Sequence, residues 1–150
     1  MSSAIEDRMS AQGTPAKWRS RDRPVHHRRS ETMTLGNELY EIEEGFWLEG
    51  KEHFLDHVDE KCLLAFPQMG EMHGVHSRAE VAATATSANR WQGLTMKDRQ
   101  LLEAGEDFAV ISYRAEVTRA DGEPYAALVS SAYRRRPDGW KLAFHQHSPV

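Results

Sequence analysis

An α+β fold, with helices first and an antiparallel sheet after them, follows from three features of the sequence. Residues 108–150 read as three strand-like runs, rich in Val, Ile, Tyr, Phe and Trp, divided at Asp121-Gly122 and Asp138-Gly139. Asp tolerates and Gly freely adopts the positive φ that a two-residue hairpin turn needs at both central positions, so the runs predict an antiparallel meander. Upstream, Leu35, Leu39, Ile42 and Phe46 recur at spacings of four, three and four, which is the period of one helix face. Ser77-Arg78-Ala79-Glu80 fits a capping box, in which the hydroxyl and the glutamate each satisfy one free amide at a helix start.

One hundred and fifty residues with 39% apolar content suit a single domain with a modest core. No apolar run exceeds about five residues, far short of a membrane span. Cys62 is the one cysteine, which excludes an internal disulfide and points to a reducing compartment, so a cytoplasmic protein is expected. Residues 1–33 carry 7 Lys/Arg and 4 Asp/Glu of the chain's 19 and 23, leaving 12 against 19, or −7, for residues 34–150. That balance argues against a nucleic-acid partner for the folded part.

Residues 1–33 have almost no aliphatic residues and no helical or strand period, and are expected to be a disordered extension. Glu6, Asp7 and Asp22 argue against a transit peptide, and the apolar core of a secretory signal is missing. The domain is expected to be 34–150. Thr34 is a plausible N-cap for a helix ending near Gly50, with Glu38, Glu41, Glu43 and Glu44 on its solvated side. Residues 51–58 predict a short second helix with Phe54, Leu55 and Val58 inward, and 61–66 a strand. Pro67-Gln68-Met69-Gly70 turns the chain into a second short strand over 71–75, and the capped helix runs from Ser77 to about Asn89. Residues 94–104 predict the strand that leads into the meander.

If both Asp-Gly hairpins close as two-residue loops, Ala120 opposes Glu123 and Pro137 opposes Trp140. One face of the sheet then collects Ile111, Tyr113, Ala115, Leu128, Ser130, Ala132, Ala143, His145 and His147. The other collects Val110, Ser112, Arg114, Val129, Ser131, Tyr133, Leu142, Phe144 and Gln146. The first, small residues punctuated by Tyr, Ser and His, is assigned to a pocket and the second to a dimer interface; a one-residue bulge in either loop reverses the assignment. His145 and His147 point the same way, as a metal pair requires, but no Cys or carboxylate is fixed nearby, so neutral histidines lining a pocket are expected and no metal or cofactor. His53 and His57, four apart, lack the glutamate of a zinc-protease helix and read as a solvated face. Trp47, Phe66 and Tyr113 are wall residues of the pocket or plain core, and Ser130 a substrate contact or a structural hydroxyl.

The element order and the last strand, Trp140-Lys141-Leu142-Ala143-Phe144-His145-Gln146-His147-Ser148-Pro149, resemble the cone-shaped fold of nuclear transport factor 2, ketosteroid isomerases and SnoaL-like polyketide cyclases. Within it they are most similar to a small bacterial subgroup ending in a Trp-Lys…His-Gln-x-Ser/Thr-Pro strand. The resemblance spans about 35–150 and implies a curved antiparallel sheet wrapped around about three N-terminal helices. Such folds host isomerases, dehydratases, cyclases, hydrolases and binding or assembly modules. The isomerases and cyclases use a pocket carboxylate as general base; no aspartate here aligns with it, and Asp56 and Glu71 are the loose candidates.

Three functions stay open. The first is a homodimer binding a small, largely apolar molecule through Trp47, Phe66, Tyr113, Ser130, His145 and His147. The second is an acid/base enzyme of isomerase, dehydratase or cyclase type, in which His145 moves a proton and Tyr113 holds a developing oxyanion. The third is an assembly module with an incidental pocket.

Overall fold

The computed structural model describes residues 34–67, 72–86 and 90–150. The expected disorder of 1–33, the Glu71 candidate and the end of the capped helix at Asn89 lie outside the described residues. By internal contacts the chain divides into Met1–Asn37 and Glu38–Val150. Of the first unit only residues 34–37 are described, where the Thr34 hydroxyl accepts the Asn37 amide at 3.0 Å and starts helix α1, Leu35–Leu48.

In the second unit α1 is followed by α2 (Lys51–His57), β1 (Val58–Ala65), β2 (His73–Ser77), α3 (Arg78–Ala82), β3 (Trp91–Glu103), β4 (Phe108–Arg119), β5 (Pro124–Arg136) and β6 (Gly139–Pro149). The strands form one sheet in the order β2-β1-β6-β5-β4-β3. It is mixed where an antiparallel sheet was expected, because β1 runs parallel to β6. The Ser77–Glu80 capping box forms, with Glu80 N to Ser77 Oγ at 3.2 Å and Ser77 N to Glu80 Oε1 at 2.8 Å. The helix behind it is shorter than expected, and Leu55 on α2 is exposed where it was expected inside.

α1 is held against the sheet by a bulge in β3. Register shifts between Lys97 and Gln100, where Asp98 has a φ of 53°. The Tyr40 hydroxyl sits at this bulge, accepting the Gln100 amide at 3.1 Å and lying 2.8 Å from the carbonyls of Gln100 and Ser112. Backbone groups that the bulge leaves unpaired thus find a partner on the helix. At the other end of the sheet Arg136 grips the buried carboxylate of Asp59 with two hydrogen bonds, at 2.9 and 3.0 Å.

Both meander hairpins differ from the expected two-residue Asp-Gly loops. Between β4 and β5 the loop has three residues: Gly122, at φ 92°, donates to the Arg119 carbonyl at 2.8 Å, and Arg119 N donates to Glu123 O at 2.8 Å. Between β5 and β6 the turn residues are Pro137 and Asp138, and Gly139, at φ 126°, already pairs with Arg136. A bulge after Tyr133 then recovers one residue. As a result β5 is displaced by one position against both neighbours, while β4 and β6 keep their expected relation. Ile111 aligns with Ser131 and His145, where Ala132 was expected between them. The inner face therefore keeps Tyr113, His145 and His147 and gains Val129, Ser131 and Tyr133.

Candidate functional site

The inner face of the sheet meets α1 at Glu43. This side chain lies on the same helical stripe as Leu39 and Phe46 and is 0% exposed, against the solvated position expected for it. A carboxylate in such a place needs donors, and the displaced strand provides two. Tyr133 donates its hydroxyl to Oε1 at 2.5 Å, Ser131 donates to Oε2 at 2.8 Å, and Tyr113 of β4 donates to Oε2 at 2.6 Å. Trp47 Nε1, one helical turn beyond Glu43, donates to the Tyr113 oxygen at 2.8 Å and so commits that hydroxyl's proton to the carboxylate. Burial pushes the Glu43 pKa up, and the three hydroxyl bonds pull against it. Burial and then the Glu43 charge hold the phenols of Tyr113 and Tyr133 far above their ordinary pKa.

From Glu43 a line of hydrogen bonds leads outward along the sheet. Ser131 Oγ lies 2.7 Å from His145 Nδ1, His145 Nε2 lies 2.9 Å from His147 Nε2, and His147 Nδ1 lies 3.0 Å from the Tyr125 hydroxyl. Burial lowers the pKa of His145 to about 4, and burial together with the neighbouring His145 lowers that of His147 to about 2. The rings are fixed by aromatic neighbours. Trp47 stacks on His147 at 5.1 Å, and Phe66 presents its edge to both imidazoles, at 5.8 and 4.9 Å.

Both imidazoles reach the wall of a cavity of about 590 Å³. Its other walls are Phe46, Trp47, Phe54, Leu64, Phe66, Val81, Trp91, Tyr125 and Leu142, with Arg90, Arg119 and Asp121 also lining it. The Arg119 guanidinium lies over the rings of Tyr125 and Trp91, at 4.7 and 5.2 Å. Arg90 donates to the Phe46 carbonyl at 2.9 Å. The cavity thus has an aromatic and aliphatic body, with a pair of imidazoles and two guanidinium groups in its lining.

Of the residues singled out in the sequence, Trp47, Phe66, His145 and His147 come together on the cavity. Tyr113 does not. Its hydroxyl lies under the wall, bonded to Glu43 and Trp47, which corrects its expected role of holding an oxyanion. Ser130 is corrected as well: it pairs with Ser112 and Gln146 on the outer face, because the longer β4–β5 loop moves Ser131 into the inner position. Both ring nitrogens of His145 are engaged within the protein, so its lone pair is not offered to a ligand or a metal. Among the described residues no group of three His, Cys, Asp or Glu side chains is disposed to hold a metal ion. Asp56 is exposed, and its backbone carbonyl accepts from Lys141 at 2.6 Å.

Sequence reasoning missed Glu43, Ser131, Tyr125 and the two arginines. The signal for Glu43 was present in its spacing: it follows Leu39 by four and precedes Phe46 by three, inside the apolar stripe. Nothing comparable marked Ser131, whose place depends on one residue of loop length.

No protein-family model matches the chain, and no curated protein matches it. Solved structures do. An NTF2-like protein from Cytophaga hutchinsonii is 13% identical with a TM-score of 0.63, covering 79% of this chain and 100% of its own. An NTF2-like protein of unknown function in nutrient uptake from Rhodospirillum rubrum is 18% identical with a TM-score of 0.60, covering 74% and 94%. The association domain of C. elegans CaMKII is 13% identical with a TM-score of 0.57, covering 75% and 90%. At these identities the likeness is one of fold, and the fold is that of NTF2-like proteins.

Proposed function

We propose, taking the NTF2-like fold as premise, that this chain is a homodimer that binds a small, largely apolar molecule in the cavity between α1 and the sheet. The observation that carries this reading is the cavity itself. Its volume of about 590 Å³ falls within the ~300–1,000 Å³ typical of small-molecule sites, and its polar side chains stand among aromatic and aliphatic ones, which would orient a mostly apolar guest. The acidic balance of residues 34–150 disfavours nucleic acid, and no described helix is long and apolar enough to cross a membrane. Cytoplasmic residence belongs to this reading, supported by a lone cysteine.

Self-association is supported by the outer face of the sheet. Val75, Leu63, Phe144, Ala132, Val110 and Leu102 follow one another in register across all six strands. Three of them are open to solvent, Val75 at 66%, Leu63 at 39% and Leu102 at 55%. A continuous apolar row of this kind favours burial against a second copy. A neighbour in fold described as an association domain is consistent with that, and an assembly role is compatible with it.

A second reading, an acid/base enzyme of isomerase, dehydratase or cyclase type, is favoured by one observation: a carboxylate is connected to the cavity by hydrogen bonds. Binding is tested through the tryptophans on the cavity wall. Titrating the full chain with apolar phenols, fatty acids and sterols should quench or shift the emission of Trp47 and Trp91 saturably for at least one class. A flat response to all three, with a folded protein, removes the binding reading.

A further inference from the structure

We propose that Tyr125, His147, His145, Ser131 and Glu43 form a proton relay, which lends the basicity of a carboxylate that no ligand can touch to a molecule bound in the cavity. This inference rests on the acid/base reading above and names how the proton would travel.

Each link fixes the next. An ionised Glu43 only accepts, so Ser131 gives its proton to Oε2 and its oxygen is left to accept from His145 Nδ1–H. A neutral imidazole carries one N–H, so His145 Nε2 is bare and accepts the Nε2–H of His147. His147 Nδ1 is then bare in turn and accepts the Tyr125 hydroxyl proton. All the donors therefore aim at the carboxylate, from a tyrosine on the cavity wall to a side chain with no exposed surface. Burial keeps both rings neutral, so each retains the bare nitrogen that a relay by exchange of tautomers needs and an imidazolium lacks.

The transfer balances as follows. A weakly acidic hydroxyl on the bound molecule, phenolic or enolic, passes its proton to the Tyr125 oxygen as the Tyr125 proton moves to His147 Nδ1. The Nε2 proton of His147 moves to His145 Nε2, the Nδ1 proton of His145 to Ser131, and the Ser131 proton to Glu43. One proton has left the guest and one carboxylate has become an acid. Both imidazoles end neutral in the opposite tautomer, and the negative charge now sits beside Tyr125, over whose ring the Arg119 guanidinium lies. Moving the charge from the interior towards a cation favours the transfer, and running the chain backwards returns a proton to the guest. Tyr125 would be the catalytic residue, and the other four would act through it.

The probe for this is 4-nitrophenol, whose phenolate absorbs visible light where the phenol does not. At a pH where the free probe is mostly neutral, the full-length protein should bind it as phenolate. Glu43→Gln, which keeps the size of the side chain, should shift the bound probe towards phenol, with the ratio of phenolate to phenol down at least about tenfold, equivalent to one pKa unit of the bound probe. Nitrogen-15 shifts of the two imidazoles should stay where they are in the free protein, because Tyr113 and Ser131 both donate to the Oε2 position, which the glutamine oxygen then takes while its amide faces Tyr133. Should Glu43→Gln fail to fold, His145→Phe breaks the chain in its middle and should give the same loss of ionisation. Binding of the probe as neutral phenol by the unmodified protein, or a His145 protonated on Nε2 in its free state, overturns the relay and leaves the cavity reading intact. No binding of the probe at all overturns the relay, whose guest is a weakly acidic hydroxyl compound, and the cavity reading then stands or falls on the fatty acids and sterols.

Discussion

The Nε2 atoms of His145 and His147 lie 2.9 Å apart, so one ring must donate and the other accept. Two residues apart on β6, the imidazoles share a face, and their common burial removes the option of both being charged. Neither should titrate near neutral pH. Proton NMR of the ring hydrogens should show two histidines without inflection between about pH 5.5 and 8, the range in which an exposed histidine titrates around about 6.5. Inflections near the ordinary value would place these rings in water.

The same burial makes a prediction about stability. The folded-state pKa values are depressed to about 4 for His145 and about 2 for His147, below the ordinary value of the unfolded chain. Below about pH 6.5 the unfolded state binds more protons than the folded one. Their contribution to stability is thus present in full above that pH and is lost as pH falls through about 4. Urea midpoints measured from pH 8 down to pH 4 should decline steadily below about pH 6.5, and His147→Gln should flatten part of that decline.

Tyr133 offers a test of the carboxylate site. Tyr133→Phe removes one of three donors to Glu43 and should destabilise the fold by about 1–3 kcal/mol, the range for leaving a buried charged acceptor short of a partner. Ser130→Ala, on the outer face, should change stability by no more than about 0.5 kcal/mol. Equal losses would mean that the register of β5 differs from the one described.

On the outer sheet face, Leu63→Glu should leave the far-ultraviolet circular dichroism unchanged and halve the mass seen by light scattering at micromolar concentration. The substitution places a charge in the middle of the apolar row, beside Val75 and Phe144. An unchanged dimer would locate the contact elsewhere, and a monomeric parent protein would remove the proposed self-association.

The strands of the meander were legible because alternation and Asp-Gly pairs are local signals. The face to which β5 contributes was not, because Asp121-Gly122 serves equally as the centre of a two-residue turn or as the end of a three-residue loop with Gly122 at positive φ. One residue of loop length exchanged Ser130 for Ser131 and brought Tyr133 to Glu43. The carboxylate itself was hidden by its company: among Glu38, Glu41, Glu43 and Glu44, composition marks all four as solvated, and only helical phase separates Glu43 from the rest. The pairing of β1 with β6 in parallel depends on contacts across about 80 residues, for which no local pattern exists.

Residues 1–33 remain proposed as separate from the fold. A chain beginning at Met33 should melt within about 2 °C of the full-length protein, since a change of less than about 0.5 kcal/mol moves the midpoint of a domain of this size by no more than that. A loss of several degrees would show that this segment packs on the domain.

Native mass spectrometry of the protein freshly purified from its source tests the cavity most directly. The account predicts a non-covalent adduct of a small molecule on each chain, lost on denaturation and absent from Ala120→Trp, which fills the lining of the cavity at the β4–β5 loop. The bare chain mass alone, in both the parent and the variant and with no adduct on incubation with 4-nitrophenol, would contradict it.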